Sequence, residues 1–158
     1  FLFLAFESFS EEQSSPKLGQ FDNWSAYAKN RVYCYMISEP HKLEGEYNMR
    51  GRVRIVVYRN TEEKNNKNLV GIDFGYSFPD EGKALIKIDN KSEFELSTFK
   101  QTAWTGASTK TDKEIINQMK KGNKLIALGK SKRGTDTKDT YSLKGFSKAF
   151  KKIENYCR

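Results

Sequence analysis

The fold is decided by one stretch near the end of the chain, Asp139-Thr-Tyr-Ser-Leu-Lys-Gly-Phe-Ser-Lys-Ala-Phe-Lys-Lys-Ile-Glu-Asn-Tyr-Cys157. Its apolar residues recur at alternating steps of three and four, which is the spacing of one face of an α-helix. They are Leu143, Phe146, Phe150, Ile153 and Cys157. This spacing predicts a helix over Leu143–Tyr156, with Ser142 as its N-cap. A helix that is apolar on one side must pack that side against the rest of the domain.

The predicted helix ends in a cysteine, and the chain contains one other cysteine, Cys34. Two distant cysteines do not make a metal site, which takes a cluster of ligands. We expect a Cys34–Cys157 disulfide that ties the last helix to an early strand, because disulfides persist in exported proteins. The alternative is a pair of buried free thiols.

The chain before this stretch has the pattern of an antiparallel β protein. Between Phe21 and Trp104, apolar and polar residues alternate in short runs that are separated by turn residues. The period then changes, and Thr111-Asp-Lys-Glu114 has the form of a capping box, which predicts a helix over Asp112–Lys121 with Thr111 as its N-cap. We therefore predict a mainly β fold, an antiparallel β-sandwich with two short helices in the C-terminal half.

The N-terminal residues differ in character from the rest of the chain. Phe1–Phe6 is apolar, and Ser8-Phe9-Ser10 fits the cleavage site of a secretory signal. We predict that residues 1–10 are the remnant of a signal peptide or an apolar anchor, although a first strand would also fit. Residues 11–20 are predicted to be a flexible leader, and residues 21–158 a single β-sandwich domain. The expected location is periplasmic or secreted.

The chain is basic, with a formal net charge of +8. Such a charge attracts nucleic acid, anionic lipid or acidic sugars. The densest basic stretch outside the last helix lies between Lys130 and Lys138. Together with two helix lysines it gives the candidate anion-binding residues Lys130, Lys132, Arg133, Lys138, Lys148 and Lys152. The alternative is a solvated, lysine-rich surface, because lysines occur in every segment.

The sequence offers little for catalysis. It has a single histidine, His41, and no C-x-x-C, G-x-S-x-G or phosphate-loop pattern. Because an enzyme needs positioned acids, bases or nucleophiles, we predict no catalytic residue, no metal and no cofactor.

Several motifs resemble those of the invasion-associated locus B (IalB) family of alphaproteobacteria. They are Phe21-Asp-Asn-Trp24, the following strand with its cysteine, Ile88-Asp89 before a Phe-containing strand, and the ending Tyr141-Ser-Leu-Lys-Gly-Phe-Ser-Lys-Ala149. The likeness covers most of Phe21–Cys157. It implies an exported β-sandwich of immunoglobulin-like outline, with no assigned catalytic site, in a family named for its association with host-cell entry.

These observations favour a non-catalytic exported protein that binds a macromolecule, either an envelope component or a host-surface component. Peripheral association with a membrane is a further expectation. The alternative is a basic nucleic-acid-binding β domain, in which strand tyrosines would stack on bases. We do not favour nucleic acid as the partner, because an exported protein rarely meets it.

Overall fold

The computed structural model describes residues 15–64, 67–106 and 108–158, apart from the side chain of Lys67. The expected signal remnant at residues 1–10 lies outside these described residues. Strand structure begins at Lys17, inside the range that was predicted to be a flexible leader. Across the described part of the chain, no helix has both the length and the apolar character that a membrane span requires.

The described residues form eleven strands and two helices. The strands are β1 Lys17–Phe21, β2 Trp24–Ala28, β3 Tyr33–Ser38, β4 Lys42–Glu44, β5 Arg54–Asn60, β6 Lys67–Asp73, β7 Lys83–Ile88, β8 Ser92–Phe99, β9 Thr102–Trp104, β10 Lys124–Lys130 and β11 Asp136–Ser142. The helices are α1 Thr109–Lys121 and α2 Phe146–Tyr156. The prediction of a mainly β chain with two helices in its C-terminal half is confirmed.

All the described strands belong to one antiparallel sheet in the order β1-β2-β3-β5-β6-β9-β8-β7-β10-β11-β4. Strands β3 and β4 are third and last in this order, yet only residues 39–41 separate them along the chain. A link this short spans little distance, so the two ends of the sheet must approach each other. The backbone N–H of His41 also donates to the carbonyl of Thr140 at 3.0 Å. The sheet is therefore strongly curled.

The core fills the inside of the curl, and α2 covers it at strands β1–β3. The apolar face of α2 is buried as predicted, whereas Lys148 and Lys152 are exposed. The ring of Phe146 meets that of Trp24 edge to face, with centroids 5.0 Å apart. The indole N–H of Trp24 donates to the carbonyl of Ser142 at 3.1 Å, which fixes the chain just before the helix.

Both helices begin elsewhere than predicted. Helix α1 begins at Thr109, because Ser108 is its N-cap and the Ser108 hydroxyl accepts from the Thr111 N–H at 3.1 Å. Helix α2 begins at Phe146 rather than at Leu143, because its N-cap is Gly145 in the left-handed region at φ +91°. A Cβ atom at Gly145 would lie 1.9 Å from the carbonyl oxygen of Phe21, so only glycine fits there.

The predicted disulfide is present. Cys34 on β3 and Cys157 just after α2 are bonded, with their Cα atoms 6.1 Å apart. The guanidinium of Arg59 donates to the carbonyl of Cys157 at 3.0 Å and adds a second tie at this point. The end of the chain is thus fixed covalently to an early strand.

Candidate functional site

The six predicted anion-binding residues fall into two separate groups. Lys130, Lys132, Arg133 and Lys138 lie in or beside the loop that joins β10 to β11, and Lys148 and Lys152 lie on α2. Helix α2 follows the far end of β11, and a strand of this length extends about 20 Å at roughly 3.3 Å per residue. The structure therefore does not bring the two groups together.

The loop group borders a cleft, which we call the loop cleft, with a volume of about 950 Å³. Residues 46–49 form one wall, residues from the 131–135 loop form the other, and residues 75–77 form the floor. Of the predicted residues, Lys132 and Arg133 line it. The second wall, with Tyr47 and Met49, was not predicted because the stretch between β4 and β5 has no hydrophobic period.

Backbone and side-chain contacts hold both walls against the floor. The Gly51 N–H donates to the carbonyl of Gly75 at 2.9 Å, and the Lys132 N–H donates to the carbonyl of Ser77 at 2.8 Å. The hydroxyl of Tyr76 is 2.6 Å from the hydroxyl of Thr137 on β11. Because each wall is tied to the same segment, the cleft is formed before any ligand arrives.

The inner part of the cleft is aromatic. The rings of Tyr47 and Tyr76 stack with centroids 5.3 Å apart and planes within 12°. The Arg50 guanidinium lies 5.1 Å from the Tyr76 ring centroid, within the range of a cation–π contact. Burial raises the pKa of Tyr76 to about 12, so its hydroxyl stays protonated at physiological pH.

Arg50 supports the cleft but adds no free charge to it. Its two terminal nitrogens each donate to a carboxylate oxygen of Asp139 at 2.7 Å, and its Nε donates to the carbonyl of Phe74 at 2.7 Å. The Asp139 side chain is fully buried. This ion pair is therefore part of the structure beneath the cleft.

Two exposed cations line the cleft. Lys132 and Arg133 are exposed, and neither forms an ion pair with any residue in the described ranges. Lys130 differs, because it lies 3.9 Å from Asp136. The hydroxyl oxygen of Tyr47 is buried, and within the described part of the chain it has no hydrogen-bond partner.

The second group belongs to a larger surface formed by both helices. The Ser147 hydroxyl donates to the carbonyl of Lys120 at 3.0 Å, and the Lys120 ammonium lies 4.4 Å from the Phe150 ring centroid. The last turn of α1 therefore adjoins α2. We call this surface the basic helix face and define it by five exposed lysines, namely Lys120, Lys121, Lys148, Lys151 and Lys152.

Lysines occur in every segment, but the positive net charge is concentrated in the two helix segments. Residues 109–124 contain five lysines and two acidic residues, a formal charge of +3. Residues 143–158 contain five basic residues and one acidic residue, a formal charge of +4. These two helix segments thus carry nearly all of the chain's net charge of +8. The concentration could have been read from the sequence by summing charge per segment.

Both surfaces offer cations to an anionic partner. In the residues that the structure describes, no group of His, Cys, Asp and Glu side chains is placed to hold a metal ion. His41 is exposed at the start of β4 and lines neither surface. What the described geometry provides is exposed ammonium and guanidinium groups, which are able to form charge-assisted hydrogen bonds.

Comparison with known proteins gives one family. A family model described as "Invasion associated locus B (IalB) protein" matches residues 25–154, a span that contains the loop cleft and all five lysines of the basic helix face. No curated protein and no solved structure gives a significant match to the chain.

Proposed function

The chain belongs to the invasion-associated locus B family, and from that premise we propose that it is an exported, non-catalytic protein that binds an anionic surface of the cell envelope. The observation that carries the proposal is the basic helix face, where two packed helix segments hold nearly all of the net charge. The Cys34–Cys157 disulfide supports an oxidising location, periplasmic or secreted.

The helix face is suited to a broad anionic surface such as lipid headgroups. Its five lysines are exposed, and each lysine near an anionic membrane contributes about 1 kcal/mol of attraction. The apolar sides of both helices are already buried in the protein core, so binding would be electrostatic. Salt should therefore weaken it strongly, because the Debye length is only about 8 Å at physiological ionic strength.

Vesicle binding tests this proposal. The wild-type protein should be retained on vesicles that contain phosphatidylglycerol, and salt should release it. It should not bind vesicles of phosphatidylcholine alone. A variant with Lys148, Lys151 and Lys152 changed to glutamine should lose retention. The control variant removes the same charge at the exposed lysines Lys42, Lys64 and Lys100, outside the helix segments, and should keep retention. Equal loss in the two variants would contradict a specific helix face.

Cell fractionation tests the export part. The protein should be recovered outside the cytoplasm with both cysteines resistant to alkylation until a reductant is added. The nucleic-acid alternative is tested in the same salt series with a DNA fragment. Cytoplasmic recovery together with steep, salt-sensitive retention on DNA would replace the envelope proposal.

A further inference from the structure

We propose that the loop cleft is a second binding site, distinct from the basic helix face, and that it takes an acidic saccharide, a sugar chain that carries carboxylate groups. This inference goes beyond the proposed function, because it concerns a concave site at the other end of β11. It rests on the shape of the cleft, its aromatic lining and its free charges.

The shape of the cleft suits a small or linear ligand. Its volume of about 950 Å³ falls in the range of ligand sites, about 300–1,000 Å³. Hydrogen bonds from Gly51 to Gly75 and from Lys132 to Ser77 tie the two walls to the same floor segment. A flat lipid surface would touch only the rims, whereas a single sugar chain can enter.

The lining of the cleft matches the mixed character of a sugar. The half-buried ring of Tyr47, held in place by stacking on the buried Tyr76, supplies aromatic surface, and Met49, whose residue is 90% exposed, adds apolar surface at the rim. A sugar ring presents both C–H groups and hydroxyls, and a tyrosine offers a partner for each.

The free charges of the cleft select an acidic sugar over a neutral one. Arg50 is neutralised by Asp139, so Lys132 and Arg133 are the cations available to a ligand among the described lining residues. A guanidinium binds a carboxylate through paired hydrogen bonds, and these charge-assisted bonds are stronger than neutral ones. Glu46 on the facing wall repels negative charge, so the carboxylate that binds lies beside the 131–135 loop and the other carboxylates of the sugar chain lie away from Glu46.

The test is calorimetric titration with three probes: tetragalacturonate, the neutral maltotetraose and glucose 6-phosphate. The wild-type protein should bind tetragalacturonate and bind maltotetraose much more weakly. Changing Lys132 and Arg133 to glutamine should weaken tetragalacturonate binding by at least about tenfold, as expected for the loss of charged hydrogen bonds. Tyr47→Phe, which keeps the ring, should weaken it less. The Lys148, Lys151 and Lys152 variant should bind as the wild type does.

Each other outcome would overturn the inference. Absent binding of tetragalacturonate by the wild-type protein, or equal binding of maltotetraose, would exclude an acidic-saccharide site. Binding of glucose 6-phosphate in its place would assign the cleft to phosphate. Loss caused by the helix variant instead would move the site to the basic helix face. Because vesicle retention is measured on the same variants, failure of the proposed function and failure of this site are distinguishable.

Discussion

At the scale of single residues, Asp139 shows how the interior accommodates a charge. Its carboxylate is fully buried, and both of its oxygens accept hydrogen bonds from Arg50. The pair joins the segment before β5 to β11, and the carbonyl of Phe74 takes the third donor of the arginine. A buried charge is tolerated only when it is paired and hydrogen-bonded in this way.

Asp139→Asn should lower the free energy of unfolding by about 3–5 kcal/mol, because it leaves the Arg50 charge without a partner. Urea unfolding followed by circular dichroism measures this. Asp136→Asn is the control, since its side chain is 81% exposed and its pairing with Lys130 should contribute less than about 1 kcal/mol. Similar losses in the two variants would show that the Arg50–Asp139 pair is not structural.

Tyr76 should make the protein sensitive to alkaline pH. Burial raises its pKa from 10.0 to about 12, so the folded protein holds this proton to higher pH than the unfolded chain does. The stability from this group is therefore complete below about pH 10 and is lost as the pH rises through about 12.

Tyr76→Phe should lose less stability than the wild type over that pH interval. At neutral pH it should be about 1 kcal/mol less stable, because the hydrogen bond to Thr137 is gone. Melting midpoints of both proteins at neutral and alkaline pH check this. Parallel pH profiles for the two proteins would contradict the assignment.

At the scale of elements, the sequence predicts what is local and misses what depends on distant contacts. The period of three and four was enough to place the buried face of α2 and its exposed lysines. The first residue of α2 was not predictable, because it depends on a contact with a distant residue. The backbone of Phe21 lies so close to Gly145 that only glycine fits at this cap position. Tyr47 was missed for the same reason, since only its stacking on Tyr76 gives it a place in the cleft.

For the candidate site too, the sequence predicts local features and misses those that depend on distant contacts. The sequence groups the candidate anion-binding residues in one set, which stays a prediction, and their separation into two surfaces depends on the length and direction of β11. The helix lysines could belong to the same site as the loop residues only if the two lay close, and β11 separates them. Only the tertiary structure distinguishes the loop cleft from the basic helix face.

Phe146→Ala should destabilise the protein by about 3–5 kcal/mol, because it opens a cavity between α2 and Trp24. Lys148→Ala, two residues along on the exposed side of the helix, should change stability little. Chemical unfolding of both variants measures the difference. Equal effects on the two would mean that the buried face of α2 has been assigned wrongly.

At the scale of the whole molecule, the fold depends on contacts between the two ends of its sequence. Helix α2 packs on β1–β3, and the Cys34–Cys157 bond spans a sequence separation of 123 residues. In the chain-entropy model, closing a loop of this size stabilises the folded state by about 5 kcal/mol. The last helix therefore covers the first three strands and is bonded covalently to β3.

A chain that stops after Ser142 should fail to fold, because Trp24 and its neighbours on β1–β3 lose the surface that buries them. The fluorescence of the truncated chain should resemble that of the urea-unfolded protein. The matched control removes only Arg158, which is exposed, and should fold normally. Native-like fluorescence and cooperative melting of the truncated chain would refute this dependence.

The disulfide between Cys34 and Cys157 can form only after both cysteines have been synthesised. At a synthesis rate of about 5–20 residues per second, Cys157 is made roughly 6–25 s after Cys34. Throughout that interval the nascent chain lacks the helix that closes its core, and its first thiol has no native partner. On the export that we propose, the late position of α2 would delay closure of the core until the chain reaches the oxidising side of the membrane, where the disulfide can form.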